Sequence, residues 1–227
     1  MLLVKVKNRI NDTISKYLNI ITKKRRVRYI DKKRKKLENS HISIISNDCT
    51  GGVVSHDLGL KFRSPTINLF FYHNDYIEYL ENLIYYNNAE IFEISKTDVE
   101  YPVGEIVRNE NKINIYFMHY DNFETAKQKW NERSKRVNYD NMLIVWCFPS
   151  LTGPPDKLYN RFKMLPYKNK ILVTGNDFKE NEDFIYKLNI YGEGYHNGML
   201  LHYKSDFSKK KYYDDIPFVD IINKCII

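Results

Sequence analysis

Residues 41–56 read HISIISNDCTGGVVSH, and this stretch decides the fold of the chain. Its apolar run, Ile42 to Ile45, stops abruptly at a polar cluster, and Gly51-Gly52 follows where a helix can begin. A buried strand that ends in a glycine-containing turn before a helix is typical of an open α/β sheet, which binds ligands at the carboxyl ends of its strands. Backbone N–H groups and the positive end of the helix point into such a site. The stretch matches neither GxGxxG nor a P-loop, so a plain tight turn remains the alternative.

Farther along the chain, strand-like and helix-like segments alternate. This alternation predicts an α/β fold with three layers and a mostly parallel, Rossmann-like sheet. The runs Met142–Trp146 and Ile171–Val173 are apolar on both faces, as in interior parallel strands. Asn122 or Asp121 is predicted to cap the helix that follows, and Pro154-Pro155 suits a helix start. The irregular stretch 90–108 is interpreted as an edge hairpin. The full set of predicted strands is Ile42–Ser46, Thr66–Phe71, Ile113–His119, Met142–Phe148 and Lys170–Thr174. The predicted helices are Val53–Leu60, Asp75–Asn87, Glu124–Val137 and Asp156–Lys163, with a last element ending in Asp220–Ile226.

The positive charge of the chain is concentrated at its N-terminus. The 227 residues carry a net charge of +8, but residues 1–40 alone hold 14 Lys/Arg against 3 Asp/Glu, so the remainder is close to neutral. We therefore divide the chain into a basic helical arm, 1–40, and a single α/β domain, 41–227. Nucleic-acid binding is not expected, because such domains spread basic residues over a folded face with interleaved aromatics. Neither a membrane-spanning run nor a secretory leader is found, which predicts a cytoplasmic protein.

The arm combines an apolar stripe with a basic run. The stripe recurs at three- and four-residue steps, which predicts one face of an amphipathic helix: Leu3, Val6, Ile10, Ile14, Leu18 and Ile21. Two outcomes are open for it, namely packing on the body or a partner subunit, or lying in a lipid interface. The basic run between residues 23 and 36 favours an anionic membrane surface, where each Lys or Arg contributes about 1 kcal/mol. The protein is therefore expected to be peripheral to a membrane.

No metal and no cofactor are predicted. Cys49, Cys147 and Cys225 are odd in number and widely spaced, and the chain has no CxxC, so neither a disulfide framework nor a zinc knuckle is expected. Free, buried thiols in a reducing cytosol are the simplest interpretation. An Asp-x-Asp motif is absent, which argues against a metal-dependent glycosyltransferase.

If the predicted strands are parallel, their carboxyl ends place several polar residues on one rim. Asp48 or His119 is predicted to be a general base there, with Asn47, Cys49 and Tyr120 as substrate-binding neighbours. Each has a plainer alternative. Asp48 is suited to capping the next helix, and His119 to a hydrogen-bonded place in the core. Cys49 is a nucleophile only if a helix N-terminus lowers its pKa, and otherwise a small buried thiol.

A second group of candidate ligand-binding residues follows Trp130. Arg133 and Arg136 are one helical turn apart and can present two guanidinium groups to a phosphate or a carboxylate. The alternative is an ion-pair network of Arg133 with Glu132 and Asp140 that fastens this helix to the next strand. We expect Asp48, His119 and one of the two arginines to lie around one cleft.

These blocks of residues also carry a resemblance. In order they are Ile45-Ser46-Asn47-Asp48-Cys49 with Gly51-Gly52, Ser64-Pro65-Thr66, Asp75-Tyr76-Ile77, Tyr101-Pro102-Val103-Gly104, His119-Tyr120, and Trp130 with Arg133, Arg136, Val137, Asn138, Asp140 and Asn141. Over about residues 40–175 the chain resembles an uncharacterised bacterial family labelled exopolysaccharide or capsule biosynthesis protein. The resemblance implies a cytoplasmic role in making surface polysaccharide, in company with glycosyltransferases, and it adds Asn138 to the substrate-binding candidates.

Three functions are therefore expected in decreasing order. The first is a metal-independent, glycosyltransferase-like transferase acting on a nucleotide-sugar or a lipid-linked saccharide. In it Gly51-Gly52 and the helix N-terminus hold a diphosphate, and Arg133 and Arg136 neutralise its charge. The second is a non-catalytic module that binds a saccharide or a biosynthetic enzyme near the membrane. The third is nucleic-acid binding through residues 23–36, against which the near-neutral body argues.

Overall fold

A computed structural model describes residues 20–190, 197–205 and 207–225 of the chain. The strands are β1 (Ser43–Ser46), β2 (Phe92–Ile94), β3 (Val103–Arg108), β4 (Asn111–Tyr116), β5 (Met142–Cys147), β6 (Lys170–Gly175) and β7 (Ile185–Leu188). The helices are α1 (20–34), α2 (Thr50–Leu58), α3 (His73–Glu81), α4 (Leu83–Asn88), α5 (Phe123–Ser134), α6 (Asp156–Met164) and α7 (Phe218–Lys224). Short 3₁₀ helices cover Asn197–Leu201 and Tyr212–Asp215.

The centre of the molecule is a parallel sheet with the strand order β1-β5-β6-β7. All of β1 is buried, as are all residues of β5 and β6 except the first of each. Helices cover both faces of this sheet. On one face α2 and α7 enclose a core that includes Val54 and Ile222, and on the other α3, α5 and α6 enclose a second core that includes Trp130 and Phe162. The predicted α/β fold with a mostly parallel sheet is confirmed.

Two of the predicted parallel strands are wrong. The segment at 113–119 contains β4, which belongs to a separate antiparallel sheet of the order β2-β3-β4. The segment at 66–71 is bent, with Asn68 in the left-handed region at a φ of 64°, and it joins no sheet beyond a single bridge between Phe70 and Tyr116. An apolar β pattern identifies a strand but not its partner, because the partner is chosen by residues distant in sequence.

Local signals were more reliable. The side chain of Asn122 accepts a hydrogen bond from the Thr125 backbone N–H at 2.9 Å, so the predicted cap of α5 is confirmed. The start of α6 directly after Pro155 is also confirmed. The helix predicted over 75–87 is instead two helices, because the backbone of Asn82 leaves the helical region between α3 and α4. Strand β7 was not predicted.

The described part of the basic arm, α1, packs against the body. Arg26 is only 7% exposed, and its guanidinium donates to the carboxylates of Asp57, at 2.6 Å, and Asp214, and to the hydroxyl of Tyr213. Lys33 also pairs with Asp214, at 2.8 Å. These contacts fix one face of α1 and turn its other basic side chains to solvent.

Most of the apolar stripe predicted for the arm lies outside the described residues, and its described member, Ile21, is exposed. The division of the chain at residue 40 stays a prediction. Among the described residues, no helix combines the length and the apolar character needed to cross a membrane.

Candidate functional site

The neighbouring strands β1 and β5 end side by side at the carboxyl edge of the parallel sheet. The chain leaves β1 into α2 on one face and leaves β5 into α6 on the opposite face. Open α/β sheets bind ligands where neighbouring connections diverge in this way. This edge is therefore the candidate functional site, and the residues around it decide what it can hold.

Asn47 continues the pairing of β1 with β5. Its side-chain amide donates to the Cys147 carbonyl at 3.0 Å, and its side-chain oxygen accepts from the Cys147 N–H at 2.8 Å. Its own carbonyl accepts from the Phe71 N–H, so the segment 64–71 lies along the free edge of β1. Both ends of the Asn47 amide are thus occupied by protein. Asn47 was predicted to bind substrate, but its side chain instead links the ends of β1 and β5.

Asp48 is a buried carboxyl group, 5% exposed, directly at the end of β1. One oxygen accepts from the Thr50 N–H at 2.9 Å, whereas Oδ2 is enclosed and has no hydrogen-bond partner of ordinary geometry among the described residues. Burial raises the pKa of Asp48 to about 6, and hydrogen bonds from Thr50 and Cys147 oppose that rise only in part. Asp48 is not the N-cap residue of α2, which is Cys49, but it accepts from the first N–H of that helix. It also has a perturbed pKa, which is common at functional sites.

The N-terminus of α2 is closed by side chains of the protein. Asp48 accepts from Thr50 N–H, and the Ser46 hydroxyl accepts from Gly51 N–H at 3.0 Å. A Cβ on Gly51 would lie 2.6 Å from the Ser46 hydroxyl, so this glycine allows the helix to approach β1 closely. Gly52 faces Ile67. The geometry does not favour a diphosphate at Gly51-Gly52, because the N–H groups of Thr50 and Gly51 already have acceptors.

Beside this corner, three of the predicted site residues converge. Arg133 donates through one terminal nitrogen to the Ile67 carbonyl at 3.1 Å and to the Tyr120 hydroxyl at 2.7 Å. Tyr120 in turn donates to the same carbonyl at 3.2 Å. Cys49 lies nearby, with its sulfur 4.0 Å from the Leu69 carbonyl, and it is close enough to Tyr120 to act on the pKa of that hydroxyl. We call these residues, Cys49, Ile67, Tyr120 and Arg133, the Arg133 site.

The half-buried guanidinium of Arg133 has no acidic partner among the described residues. Its recorded contacts are two neutral oxygens and the ring of Phe62, whose centroid is 5.6 Å away. The predicted ion pairs with Glu132 and Asp140 are not formed; Glu132 instead pairs with Lys129 and Arg136. Arg133 therefore presents an unneutralised positive charge in a fixed position, which suits an anionic ligand.

The thiol of Cys49 is not activated. Burial, followed by the charge of Asp48, raises the pKa of Cys49 to about 12. A thiolate is the reactive form of cysteine, so nucleophilic chemistry at Cys49 is not favoured. The nearby Tyr120 also has a raised pKa, mainly through burial, although Arg133 opposes the effect. Both groups remain neutral donors beside the arginine.

Three other predicted residues do not join the Arg133 site. His119 is exposed in the turn after β4 and has no hydrogen-bond partner in the described part of the chain. Arg136 points to Glu132, with 3.5 Å between nitrogen and oxygen. Asn138 lies at the opposite, amino edge of the sheet, where it bonds to Ser43 and His41 at the start of β1. The expected meeting of Asp48 and His119 rested on the wrong assignment of β4 to the parallel sheet.

One histidine at the carboxyl edge was not singled out from the sequence. His73, the first residue of α3, lies against Phe148 with 4.3 Å between ring centroids, and its Nδ1 accepts from the Trp146 indole N–H at 3.2 Å. This acceptor role places the ring proton on Nε2. Burial lowers the pKa of His73 to about 4, so at neutral pH it is an uncharged donor. No local sequence signal marks it, because Trp146 and Phe148 are far away in the chain.

No three His, Cys, Asp or Glu side chains within the described ranges cluster closely enough to hold a metal ion.

The chain is similar to a family model and to a known bacterial protein. The family model described as Domain of unknown function (DUF1919) matches residues 20–223, a span that includes α1. An uncharacterized protein of Haemophilus influenzae is 30% identical over 194 residues, which cover 84% of this chain and 88% of that relative. Neither description names an activity or a ligand.

Proposed function

The chain belongs to the DUF1919 family, and we propose that it binds an anionic saccharide, such as a nucleotide-sugar or a lipid-linked saccharide phosphate, in the synthesis of surface polysaccharide. The ligand lies at the carboxyl edge of the parallel sheet, with its phosphate or carboxylate on Arg133. The family resemblance of the sequence supports a saccharide ligand and a role in polysaccharide synthesis. The geometry of the site supports an anionic group on that ligand.

A single observation supports the anion. The Arg133 guanidinium is held by the Ile67 carbonyl and the Tyr120 hydroxyl, and no carboxylate of the described residues neutralises it. These two contacts use one terminal nitrogen and fix the direction of the side chain. Arginine prefers forked hydrogen bonds to phosphate or carboxylate. The contacts with Ile67 and Tyr120 also fix the orientation of the remaining guanidinium N–H groups of Arg133.

Calorimetric titration of the full chain tests this proposal. The ligands are UDP-glucose, glucose 1-phosphate, inorganic phosphate and glucose, so that the phosphate and the sugar contribute separately. Arg133→Met keeps the aliphatic bulk and removes the charge-assisted contacts, which are worth about 1.5–3 kcal/mol. We expect roughly ten- to hundredfold weaker binding of the phosphorylated ligands by this variant.

Arg136→Met is the matched control, because Arg136 lies one turn away and pairs with Glu132. It should bind the phosphorylated ligands as the wild type does. Equal affinities of the Arg133→Met and Arg136→Met variants would contradict the proposal. Binding that is undiminished by loss of the phosphate would also contradict it.

Group transfer is the second candidate function, and Asp48 favours it. Its pKa of about 6 suits a general base. The unpartnered Oδ2 would take the proton of an acceptor hydroxyl as the hydroxyl oxygen attacks the sugar and the phosphate leaves, and because Oδ2 is enclosed, this role requires the corner at the start of α2 to open when the ligand binds. His119, the other predicted base, lacks any such setting. The sugar phosphate would then be the donor held by Arg133.

Asp48→Asn separates transfer from binding. The variant keeps the shape of the side chain and its acceptor for the Thr50 N–H, but it cannot take a proton. The rate of hydrolysis of UDP-glucose, or of transfer from it, is measured as release of UDP. This rate should fall at least a hundredfold, as is common for loss of a general base. Ligand affinity should remain within about twofold. A variant with unchanged turnover would leave only the binding function.

We also propose that the protein works at the cytoplasmic side of an anionic membrane, which its arm contacts. The exposed face of α1 presents basic side chains without ion-pair partners among the described residues, namely Lys23, Lys24, Arg25, Arg28 and Lys32. Co-sedimentation with phosphatidylserine vesicles should fall with salt and should be lost when these five basic side chains are replaced by Gln, which leaves Arg26 and its partners in place. Equal recovery of the wild type and this variant in the supernatant would reject this location.

A further inference from the structure

A cluster of aromatic and polar side chains lies between the start of α3 and the antiparallel sheet. Phe70 stacks on Tyr116, with 4.7 Å between centroids, and meets Tyr72 and Tyr101 edge to face at 5.6 and 6.1 Å. Tyr72 also meets Tyr116 edge to face at 4.9 Å. The ring of Tyr72 is 55% exposed, so the cluster reaches the surface. We call it the tyrosine cluster.

Charged groups lie close to the tyrosine cluster. The Lys96 ammonium lies 6.0 Å from the centroid of the Tyr116 ring, and it is also close enough to Asp75 to act on its pKa. Asp75 and Asp98 both act on the pKa of Tyr116, which burial in the first place raises to about 12. Two carboxylates and one ammonium therefore lie near the three tyrosines, of which Tyr72 is exposed, Tyr101 is partly exposed and Tyr116 is buried.

These groups are largely unpaired. Within the described residues, no hydrogen bond involves the hydroxyls of Tyr72, Tyr101 or Tyr116, and neither Lys96 nor Asp98 forms an ion pair. Asp75 accepts from the Asn114 backbone N–H and otherwise interacts only at longer range. Polar groups brought this close without bonding to one another have free capacity for donors and acceptors from a ligand.

We propose that the tyrosine cluster is a second saccharide subsite, which binds an uncharged sugar ring on Tyr72 and its hydroxyl groups on Asp75, Lys96 and Tyr101. A sugar ring offers apolar C–H faces to an aromatic side chain and many hydroxyls to surrounding polar groups. This cluster provides both kinds of contact. The excess of carboxylates over cations disfavours an anionic ligand here, in contrast to the Arg133 site.

One segment connects the two sites. The carbonyl of Ile67 holds Arg133, and Phe70 and Tyr72 follow in the tyrosine cluster three and five residues later. Between them, the N–H of Phe71 is bonded to the end of β1. The subsite deepens the proposed function, because it rests on a saccharide as the ligand and assigns an uncharged sugar, such as an acceptor, to a separate surface.

Saturation-transfer NMR on the full chain tests the subsite with three neutral probes, maltotetraose, cellotetraose and N-acetylchitotetraose. At least one should bind the wild type. Tyr72→Ala should weaken that binding about tenfold by removing the aromatic face, and Tyr101→Phe should weaken it about threefold by removing one hydroxyl. Tyr203→Ala, at another exposed tyrosine outside the cluster, is the matched control and should bind normally.

Glucose 1-phosphate is titrated in parallel, so that failure of the subsite differs from failure of the Arg133 site. Arg133→Met should lose glucose 1-phosphate and keep the neutral tetrasaccharide, whereas Tyr72→Ala should do the reverse. If none of the three tetrasaccharides binds, or if Tyr72→Ala binds them as the wild type does, the subsite is rejected. The result for glucose 1-phosphate then decides the proposed function by itself.

Discussion

Arg26 and Arg133 are both held by tyrosine hydroxyls, but they differ in charge compensation. Arg26 in α1 lies between the carboxylates of Asp57 and Asp214, and although burial alone would lower its pKa, these partners raise it overall. Arg133 in α5 has two neutral acceptors and no carboxylate. The first arrangement is complete within the described chain and ties α1 to the body. The second leaves a positive charge for a ligand, so charge compensation separates a structural arginine from a binding one.

The carboxylates show the same contrast. Asp57 is partly buried, which would raise its pKa, but hydrogen bonds from Tyr213 and Arg26 lower it. Asp48 has no cation beside it, and its pKa is raised. Thus the contact of α1 with the body is electrostatically satisfied, whereas the carboxyl edge of the sheet is not. Stability should depend strongly on the first region and ligand binding on the second.

The largest effect is expected from Arg26→Met, which leaves Asp57 and Asp214 without their shared partner. Removing one member of a buried ion-pair network typically destabilises a protein by about 3–5 kcal/mol. Urea unfolding followed by circular dichroism measures this loss. Arg25→Met, at the exposed neighbouring residue, should change the free energy of unfolding by less than about 0.5 kcal/mol. If the two variants unfold at the same urea concentration, α1 is not held by the Arg26 network.

Asp48 should give a pH-dependent effect of about 3 kcal/mol. Its pKa of about 6 in the folded protein exceeds the ordinary value of 3.8, so the folded state binds the proton more tightly. The resulting stabilisation is complete below about pH 4 and is lost as the pH rises through 6. Asp48→Asn lacks this titration, so its stability relative to wild type should increase between pH 4 and pH 7. Urea unfolding at both pH values measures the change, and a pH-independent difference would show that Asp48 is not perturbed.

The two glycines of α2 should respond differently to alanine. In Gly51→Ala the new methyl group would lie 2.6 Å from the Ser46 hydroxyl and 3.2 Å from Ile44, which predicts about 1–3 kcal/mol of destabilisation from overpacking. In Gly52→Ala it would contact Ile67 at an ordinary 3.4 Å, and alanine favours the helix by up to about 1 kcal/mol. Thermal unfolding of both variants measures the difference. Equal melting temperatures would argue that Gly51 is not required for close packing on β1.

The smallest effect on stability is expected from Arg133→Met. It removes hydrogen bonds to two neutral oxygens and no ion pair, so the free energy of unfolding should fall by only about 1 kcal/mol. Urea unfolding beside Arg26→Met gives the comparison directly. A loss as large as that of Arg26→Met would mean that Arg133 is a structural arginine, and the contrast between the two regions would disappear.

Local patterns in the sequence identified much of the parallel sheet and the N-cap of α5. The runs within β5 and β6 are apolar on both faces, which only a strand covered on both sides requires. Asn122 marked the start of α5 through its capping chemistry. The sequence also predicted Cys49, Tyr120 and Arg133 as site residues, and the structure brings these three residues to one corner. The sequence did not distinguish these from Arg136 and Asn138, because residues three and five positions along the same segment can point to different surfaces.

The sequence by itself determined the α/β class, the interior parallel strands and the concentration of basic residues at the N-terminus, since periodicity, capping and composition are properties of neighbouring residues. Only the tertiary structure decided that β4 pairs with β3 and that the N-terminus of α2 is already occupied. It alone also decided that Arg26 is neutralised while Arg133 is not. The physical reason is that strand partners and charge partners are chosen across long sequence separations, where burial and Coulomb interactions depend on which surfaces meet.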